Sequence, residues 1–251
     1  VFEFLAARIG APPLKTLAVS PIPGAFGQGF PGLIYLSTLA YLPARERPQF
    51  ATSGVNQVFF SDILVAHEVA HQWWGNTVST VGYRDEWIME ALANYSALLL
   101  LERKKGTKAL ESVLERYRED LLEKGPNGQP VDSAGPISLG TRLETSETPG
   151  AYRTVVYEKG TWIIHMLRHR LGDTAFFAMM RELHGRFLRA RMTTEDLRTI
   201  AAKHQQKPNP DGTLEQLFAS YVDSTGIPSL KLTAKIRRTV VSVELEQGSV
   251  G

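Results

Sequence analysis

The 251-residue sequence contains no cysteine. Disulfide bridges, thiolate metal ligands and cysteine nucleophiles are therefore excluded. The compartment stays open, because exported proteins do not require disulfides. An excess of one charge sign is also lacking, since 28 Lys and Arg residues stand against 26 Asp and Glu residues, for a net charge of +2. This balance gives no broad basic surface and argues against nucleic acid as a partner.

Long apolar runs are missing as well. The apolar run at residues 97–101 ends at Glu102, and no segment reaches the roughly 20 residues that a membrane-spanning helix needs. No basic and apolar leader opens the sequence. Because the first residue is Val1 rather than Met, we expect a processed or excised piece of a longer protein. The compartment of that parent protein is unknown, and an exported or membrane-anchored parent fits the sequence.

The order of turn-rich, strand-like and helix-like segments along the sequence indicates an α+β protein. Residues 1–60 are rich in Pro and Gly and are predicted to form a small sheet region. Its strands are predicted at residues 17–19, 33–36 and 58–60. From Ser61, which is predicted to cap a helix, the apolar period becomes helical, and residues 61–228 are predicted to be mainly helical. Residues 229–251 alternate between apolar and polar like a hairpin, which is marginal alone in water. We therefore expect them to begin a following β domain.

The first strong helix carries the pattern H-E-x-x-H at residues 67–71. Positions i and i+4 lie on one helix face, so the imidazoles of His67 and His71 can bind one zinc ion. Glu68 is offset around the helix axis and can act as a general base. The alternative is a surface helix with a glutamate between two histidines. Apolar neighbours on most sides of this helix argue against that alternative, because buried ionisable groups need partners or a metal.

A catalytic zinc ion needs a third protein ligand and an open fourth position. Glu90 follows His71 by 19 residues, which leaves room for a turn and a returning helix, and its neighbours are apolar. We predict that Glu90 is the third ligand. Asn94 lies one turn further along the same helix face. It is a candidate acceptor for the second ring proton of a ligand histidine, with simple helix packing as the alternative.

Three sequence segments together resemble the zinc aminopeptidase family of the gluzincins, which includes the alanyl aminopeptidases and leukotriene hydrolase. The segments are H-E-V-A-H-Q-W-W-G-N at residues 67–76, W-I-M-E at 87–90 and Y-E-K-G at 157–160. The likeness extends to a helical pair ending in T-G-I-P at 225–228. The resemblance covers nearly the whole chain.

This resemblance implies a thermolysin-like catalytic domain, in which a small mixed sheet precedes a helical bundle and one zinc ion lies in the cleft between them. It also implies that Tyr157 stabilises the transition state. A phenol can donate a hydrogen bond to the oxyanion that forms when water attacks a peptide carbonyl. The N-terminal β domain and the C-terminal helical domain of the family would lie outside this chain. The implied partner is a peptide or protein substrate.

The sequence departs from the family at the segment that recognises the substrate amine. The family carries G-x-M-E-N just before a Gly-Leu-Ile edge strand, and its glutamate holds the free α-amine. Alignment on Gly32 and Leu33 places Gly29 at that glutamate, and no carboxylate occurs between Phe4 and Arg45. An ammonium group without a partner carboxylate binds weakly. Gly29, Gly32 and Leu33 are the substrate-binding candidates, since this edge strand can still pair with a substrate backbone.

The sequence therefore predicts zinc-dependent hydrolysis of peptide bonds by an aminopeptidase-like enzyme whose amine-recognition motif is altered or missing. Two alternatives stay open. The enzyme could be an endopeptidase of the same fold, or the chain could be a non-catalytic peptide-binding member of the family. A carboxylate from another domain, or Glu144 or Glu147 from the loop at 141–150, could replace the missing amine anchor.

Overall fold

The computed structural model describes residues 1–12, 14–52, 54–205, 213–238 and 240–248. The helices are α1 (Phe2–Ile9), α2 (Gly54–Val58), α3 (Leu64–Ala70), α4 (Trp87–Lys105), α5 (Thr107–Leu122), α6 (Gly160–Leu171), α7 (Asp173–Arg186), α8 (Thr194–His204) and α9 (Leu214–Tyr221). The strands are β1 (Ala18–Ile22), β2 (Gly27–Phe30), β3 (Leu33–Ser37), β4 (Val78–Thr80), β5 (Ala190–Met192), β6 (Leu230–Arg237) and β7 (Val240–Gln247). Two π-helical segments, Phe59–Ile63 and Arg153–Lys159, lead into α3 and α6.

The N-terminal sheet has three strands in the order β1-β3-β2. Strand β3 pairs in parallel with β1 and antiparallel with β2, with Gly29 opposite Ile34. Two of the three strands predicted in this region are present, as β1 and β3. Because β3 is central and its alternate residues Ile34 and Leu36 are buried, the sheet packs one face on the helical core and leaves β2 at its edge.

The prediction of a strand at residues 58–60 is wrong. Val58 ends α2, and Phe59 and Phe60 belong to the π-helical segment that runs into α3. A three-residue apolar run cannot be told from a buried helical turn by its sequence, and here packing decides, because Phe60 is buried in the core. Ser61 accordingly lies inside a continuous helical stretch and does not cap its start; its hydroxyl accepts a hydrogen bond from Arg47.

The helical region is built around α4, which packs against α3, α5 and α6. Nearly every residue from Trp87 to Leu101 is buried, as expected for a helix that is apolar on all sides. Helix α4 is the returning helix that the position of Glu90 predicts. Since α3 and α4 are direct neighbours, the histidines of one helix and the first turn of the other come together.

The last described elements, β6 and β7, form the antiparallel hairpin that the alternating pattern predicts. One face of this hairpin is apolar and more than half exposed, with Leu232 at 66% and Ile236 at 76%. That a β domain begins at residues 229–251 stays a prediction, and residues 239 and 249–251 of that range lie outside the described residues. Among the described helices, none is long and apolar enough to cross a membrane.

Candidate active site

Helix α3 and the residue after it carry both predicted histidine ligands. His67 lies in the last turn of α3, and His71 caps the helix while its backbone N–H still bonds to the carbonyl of His67. The two rings therefore lie one turn apart on the same face, and both residues are buried. Nδ1 of His71 is 2.8 Å from the carbonyl oxygen of Trp74. A carbonyl can only accept, so Nδ1 carries the proton and Nε2 is left as a ligand atom.

Glu90, in the first turn of α4, completes a three-residue cluster with the histidines. The Nε2 atoms of His67 and His71 are 3.0 Å apart, and each lies 3.4 Å from Oε2 of Glu90. Ligands about 2.0–2.1 Å from a tetrahedral zinc ion are about 3.3–3.4 Å from one another. Oε2 of Glu90 is buried and has no hydrogen-bond partner. The three donors thus fit one zinc ion.

The electrostatics of this cluster favour a cation. Burial alone would raise the pKa of Glu90, but its interactions with the two imidazole rings outweigh burial and hold that pKa well below its ordinary value. Burial would likewise lower the pKa of His71, yet the neighbouring carboxylate of Glu90, with a smaller contribution from Glu68, raises it to about 9. A fixed negative charge beside two imidazoles is the donor set that a divalent metal ion requires.

Glu68 follows the first histidine and is 5% exposed. Its carboxylate lies in the same cavity as the three donors. Burial raises the pKa of Glu68, while the two imidazoles and a hydrogen bond from the backbone N–H of Gly29 act in the opposite direction. A partly desolvated carboxylate with a raised pKa accepts a proton more readily than an exposed one, as a general base must.

Tyr157 reaches the cluster from the π-helical segment before α6. Its ring stacks on the ring of His67, with centroids 5.8 Å apart and an interplanar angle of 24°. Burial, and then the negative charge of Glu90, raise the pKa of Tyr157 far above its usual value. The hydroxyl therefore stays protonated and can act as a hydrogen-bond donor. Tyr152 packs edge-on against this ring.

Asn94 lines the same cavity. Its Nδ2 donates to the hydroxyls of Tyr117 in α5 and Thr161 in α6, at 3.2 Å and 2.9 Å. These two bonds support the packing alternative, and the role of Asn94 as an acceptor for a ligand histidine stays a prediction. For His71 the acceptor is the backbone carbonyl of Trp74. A backbone acceptor leaves no signal in the residue types of the sequence.

A cavity of about 430 Å³ brings the predicted groups together. His67, Glu68, His71, Glu90, Asn94 and Tyr157 all line it. Of the three predicted substrate-binding residues, Gly29, Gly32 and Leu33, none is among its described lining residues; Gly27 and Gln28 of β2 are. Glu144 and Glu147 are not part of the lining either. Glu144 instead accepts hydrogen bonds from the backbone N–H groups of Gly150 and Tyr152.

Two residues of the H-E-V-A-H-Q-W-W-G-N segment have a role that the sequence analysis missed. The amide of Gln72 donates to the carbonyl of Phe30 and accepts from the N–H of Gly32, at 3.0 Å and 2.9 Å. Nδ2 of Asn76 lies 3.3 Å from the carbonyl of Gly29. These bonds fix β2 and its turn on the end of the histidine helix. In the sequence, the available signal for this role was that both residues are polar and lie next to the apolar end of the histidine helix.

Comparison with solved structures gives the same fold. A mutant M1 zinc metallopeptidase from Deinococcus radiodurans superimposes with a TM-score of 0.63 and 20% identity, covering 91% of this chain and 44% of that one. The enzyme with a Tyr-Ser-Ala substrate bound gives a TM-score of 0.61 at 20% identity, covering 88% of this chain and 42% of that chain. The predicted α+β fold, a small sheet followed by a helical bundle, is confirmed.

Curated relatives are longer proteins. Aminopeptidase M1-D of Oryza sativa subsp. japonica is 26% identical over 250 residues, which cover 98% of this chain and 26% of the rice protein. Aminopeptidase N of Lactococcus lactis subsp. lactis is 29% identical over 124 residues, or 45% of this chain and 13% of that protein. The chain thus spans about a quarter or less of these relatives.

The family itself follows from a match over more than half of the chain. Residues 48–242 match the model described as the peptidase family M1 domain. This range includes the histidine helix, Glu90 and the Y-E-K-G segment at 157–160, which are the segments on which the resemblance to zinc aminopeptidases was based. That prediction is confirmed, and the chain belongs to peptidase family M1.

Proposed function

We propose that this chain is the catalytic part of a zinc-dependent peptidase of the aminopeptidase type. The observation that carries the proposal is the convergence of His67, His71 and Glu90 at 3.0–3.4 Å, beside Glu68 and Tyr157 in one cavity. The names of the relatives, aminopeptidases and M1 zinc metallopeptidases, support the same reaction. The substrate is a peptide or a protein.

In this proposal His67, His71 and Glu90 hold the zinc ion. When bound, zinc supplies a Lewis acid that polarises a carbonyl and brings the pKa of water towards about 7. The carboxylate of Glu68 takes the proton of the attacking water and returns it to the leaving amine. The protonated hydroxyl of Tyr157 donates a hydrogen bond to the oxygen on which negative charge develops.

A second candidate, an endopeptidase of the same fold, is favoured by the composition of β2. This strand, G-Q-G-F, offers no carboxylate to a substrate amine. Of the carboxylates that line the cavity, Glu90 is assigned to the metal and Glu68 to proton transfer, and Glu158 is only 3% exposed. Substrates with a blocked amino terminus would then be cleaved as readily as free ones.

The test uses the full-length protein and one peptide in two forms, with a free and with an acetylated amino terminus. Hydrolysis should require zinc, stop with a chelator and resume when zinc is added back. Glu68→Gln should keep the zinc content and lower kcat by about 10²–10⁴-fold, the usual contribution of general acid–base catalysis.

The products, read by mass spectrometry, separate the candidates. Stepwise loss of residues from the free peptide alone indicates an aminopeptidase, and internal cleavage of both forms indicates an endopeptidase. Full activity in Glu68→Gln would refute the mechanism. Absence of any zinc-dependent cleavage by the wild type would leave a peptide-binding role instead.

A further inference from the structure

Strand β2 lies directly on the helix that carries the proposed general base. Its turn and its last residues are held there by Gln72 and Asn76, as described above, and its first residues line the catalytic cavity. In a strand, alternate residues share a face, so Gly27 and Gly29 both face α3. The strand is therefore fixed in a place where its helix-facing side meets Glu68.

The space between β2 and α3 admits no side chain. A Cβ atom at Gly27 would stand 2.7 Å from both Cγ and Oε1 of Glu68. A Cβ atom at Gly29 would stand 2.8 Å from the backbone oxygen of Glu68 and 2.8 Å from Cβ of His71. Non-bonded carbon atoms prefer about 3.5–4.0 Å. At Gly29 only glycine fits with the strand and the helix where they are, because the atoms met are the backbone oxygen of Glu68 and Cβ of His71. At Gly27 a methyl group fits only if the side chain of Glu68 moves away.

The backbone that the two glycines expose is in contact with the carboxylate itself. A Cβ atom at Gly29 would stand 3.5 Å from Oε2 of Glu68, so the backbone of Gly29 lies beside this carboxylate. Gly27 borders the same carboxylate from the neighbouring position on that face. A free glutamate side chain samples many rotamers, and ordering it costs conformational entropy. The close approach of both glycines restricts the rotamers of Glu68 at the atoms that must take the proton.

We propose that Gly27 and Gly29 are positioning residues for Glu68. Because they carry no side chains, the backbone of β2 can lie against the carboxylate of Glu68 and hold it in place. The inference rests on the proposed function, because Glu68 must be the general base. At Gly29, the position aligned with the family's glutamate, any side chain would require β2 or α3 to shift from the place it has in this chain.

The test is Gly27→Ala in the full-length protein. The added methyl group meets only side-chain atoms of Glu68, so the chain can stay folded while the carboxylate rotates away. We expect kcat to fall at least tenfold, with KM, zinc content and Tm close to those of the wild type. Gly185→Ala is the matched control, because Gly185 is exposed on α7 and its Cβ would meet no atom within 4 Å.

A double mutant shows whether the effect passes through the base. In the Glu68→Gln background, Gly27→Ala should not reduce the residual rate further, because coupled residues are non-additive. Wild-type kcat in Gly27→Ala would overturn the proposal. Loss of zinc or of the folded state would overturn it too, since Gly27 would then serve the metal site or the fold. An inactive wild-type protein would instead overturn the proposed function.

Discussion

Replacing Asp132 by Ala should destabilise the protein by about 3–5 kcal/mol, because it leaves a buried ammonium group without its counter-charge. The Nζ atom of Lys159 lies 2.7 Å from Oδ1 of Asp132, and their side chains are only 4% and 3% exposed. Oδ2 of Asp132 also accepts from the N–H of Gly226 at 2.6 Å, and Lys159 donates to the carbonyl of Ser224 at 3.3 Å. The pair thus joins the segments that contain Asp132, Lys159 and residues 224–226. Lys159 lies two residues after Tyr157 in the sequence.

The loss can be read as a shift in the midpoint of thermal unfolding. With an unfolding entropy of about 2.1 cal/mol/K per residue, a unit of 251 residues loses roughly 2 °C of Tm per kcal/mol. Asp132→Ala should therefore lower Tm by about 6–10 °C in differential scanning fluorimetry. Glu115→Gln is the control, because its ion pair with Arg118 is about half exposed and exposed ion pairs contribute little to stability.

A second variant separates charge from packing. Asp132→Leu combined with Lys159→Met replaces the buried ion pair by apolar groups, which is often neutral. It should recover most of the Tm lost in Asp132→Ala. A change of less than 2 °C in Asp132→Ala would refute the reasoning, since it would mean that Lys159 finds another partner or reaches solvent.

Two further predictions concern the segment that holds Tyr157. Tyr157→Phe should keep the zinc content and KM but lower kcat by about 10²–10³-fold, the usual loss for one oxyanion donor; an unchanged kcat in steady-state assays would remove Tyr157 from the mechanism. Glu158 is buried, and burial, followed by the charge of Asp120, raises its pKa to about 8 from 4.5. Its contribution to stability is therefore complete below about pH 4.5 and is lost as the pH rises towards about 8. Relative to the wild type, Glu158→Gln should gain Tm between about pH 5.5 and pH 8.5, and a constant difference across that range would contradict the raised pKa.

Features that depend on residues close together in the sequence could be predicted, and features that depend on contacts between distant elements could not. The spacing of His67, Glu68 and His71 is a property of one helix, so it could be read directly from the sequence. Glu90 was found because a returning apolar helix brings its first turn to the same place. Residues 58–60 were misassigned because three apolar residues carry no period, and burial of Phe60 made them helical.

What the sequence by itself determined is the family, the α+β class and the residues that converge on the proposed zinc site. Only the tertiary structure decided which groups surround them. The amide nitrogen of Asn94 bonds to α5 and α6, and a backbone carbonyl orients His71. Gln72 and Asn76 hold β2 against Glu68. The physical reason is that local periodicity fixes which face of a helix a side chain occupies, whereas packing between elements distant in sequence fixes what that face meets.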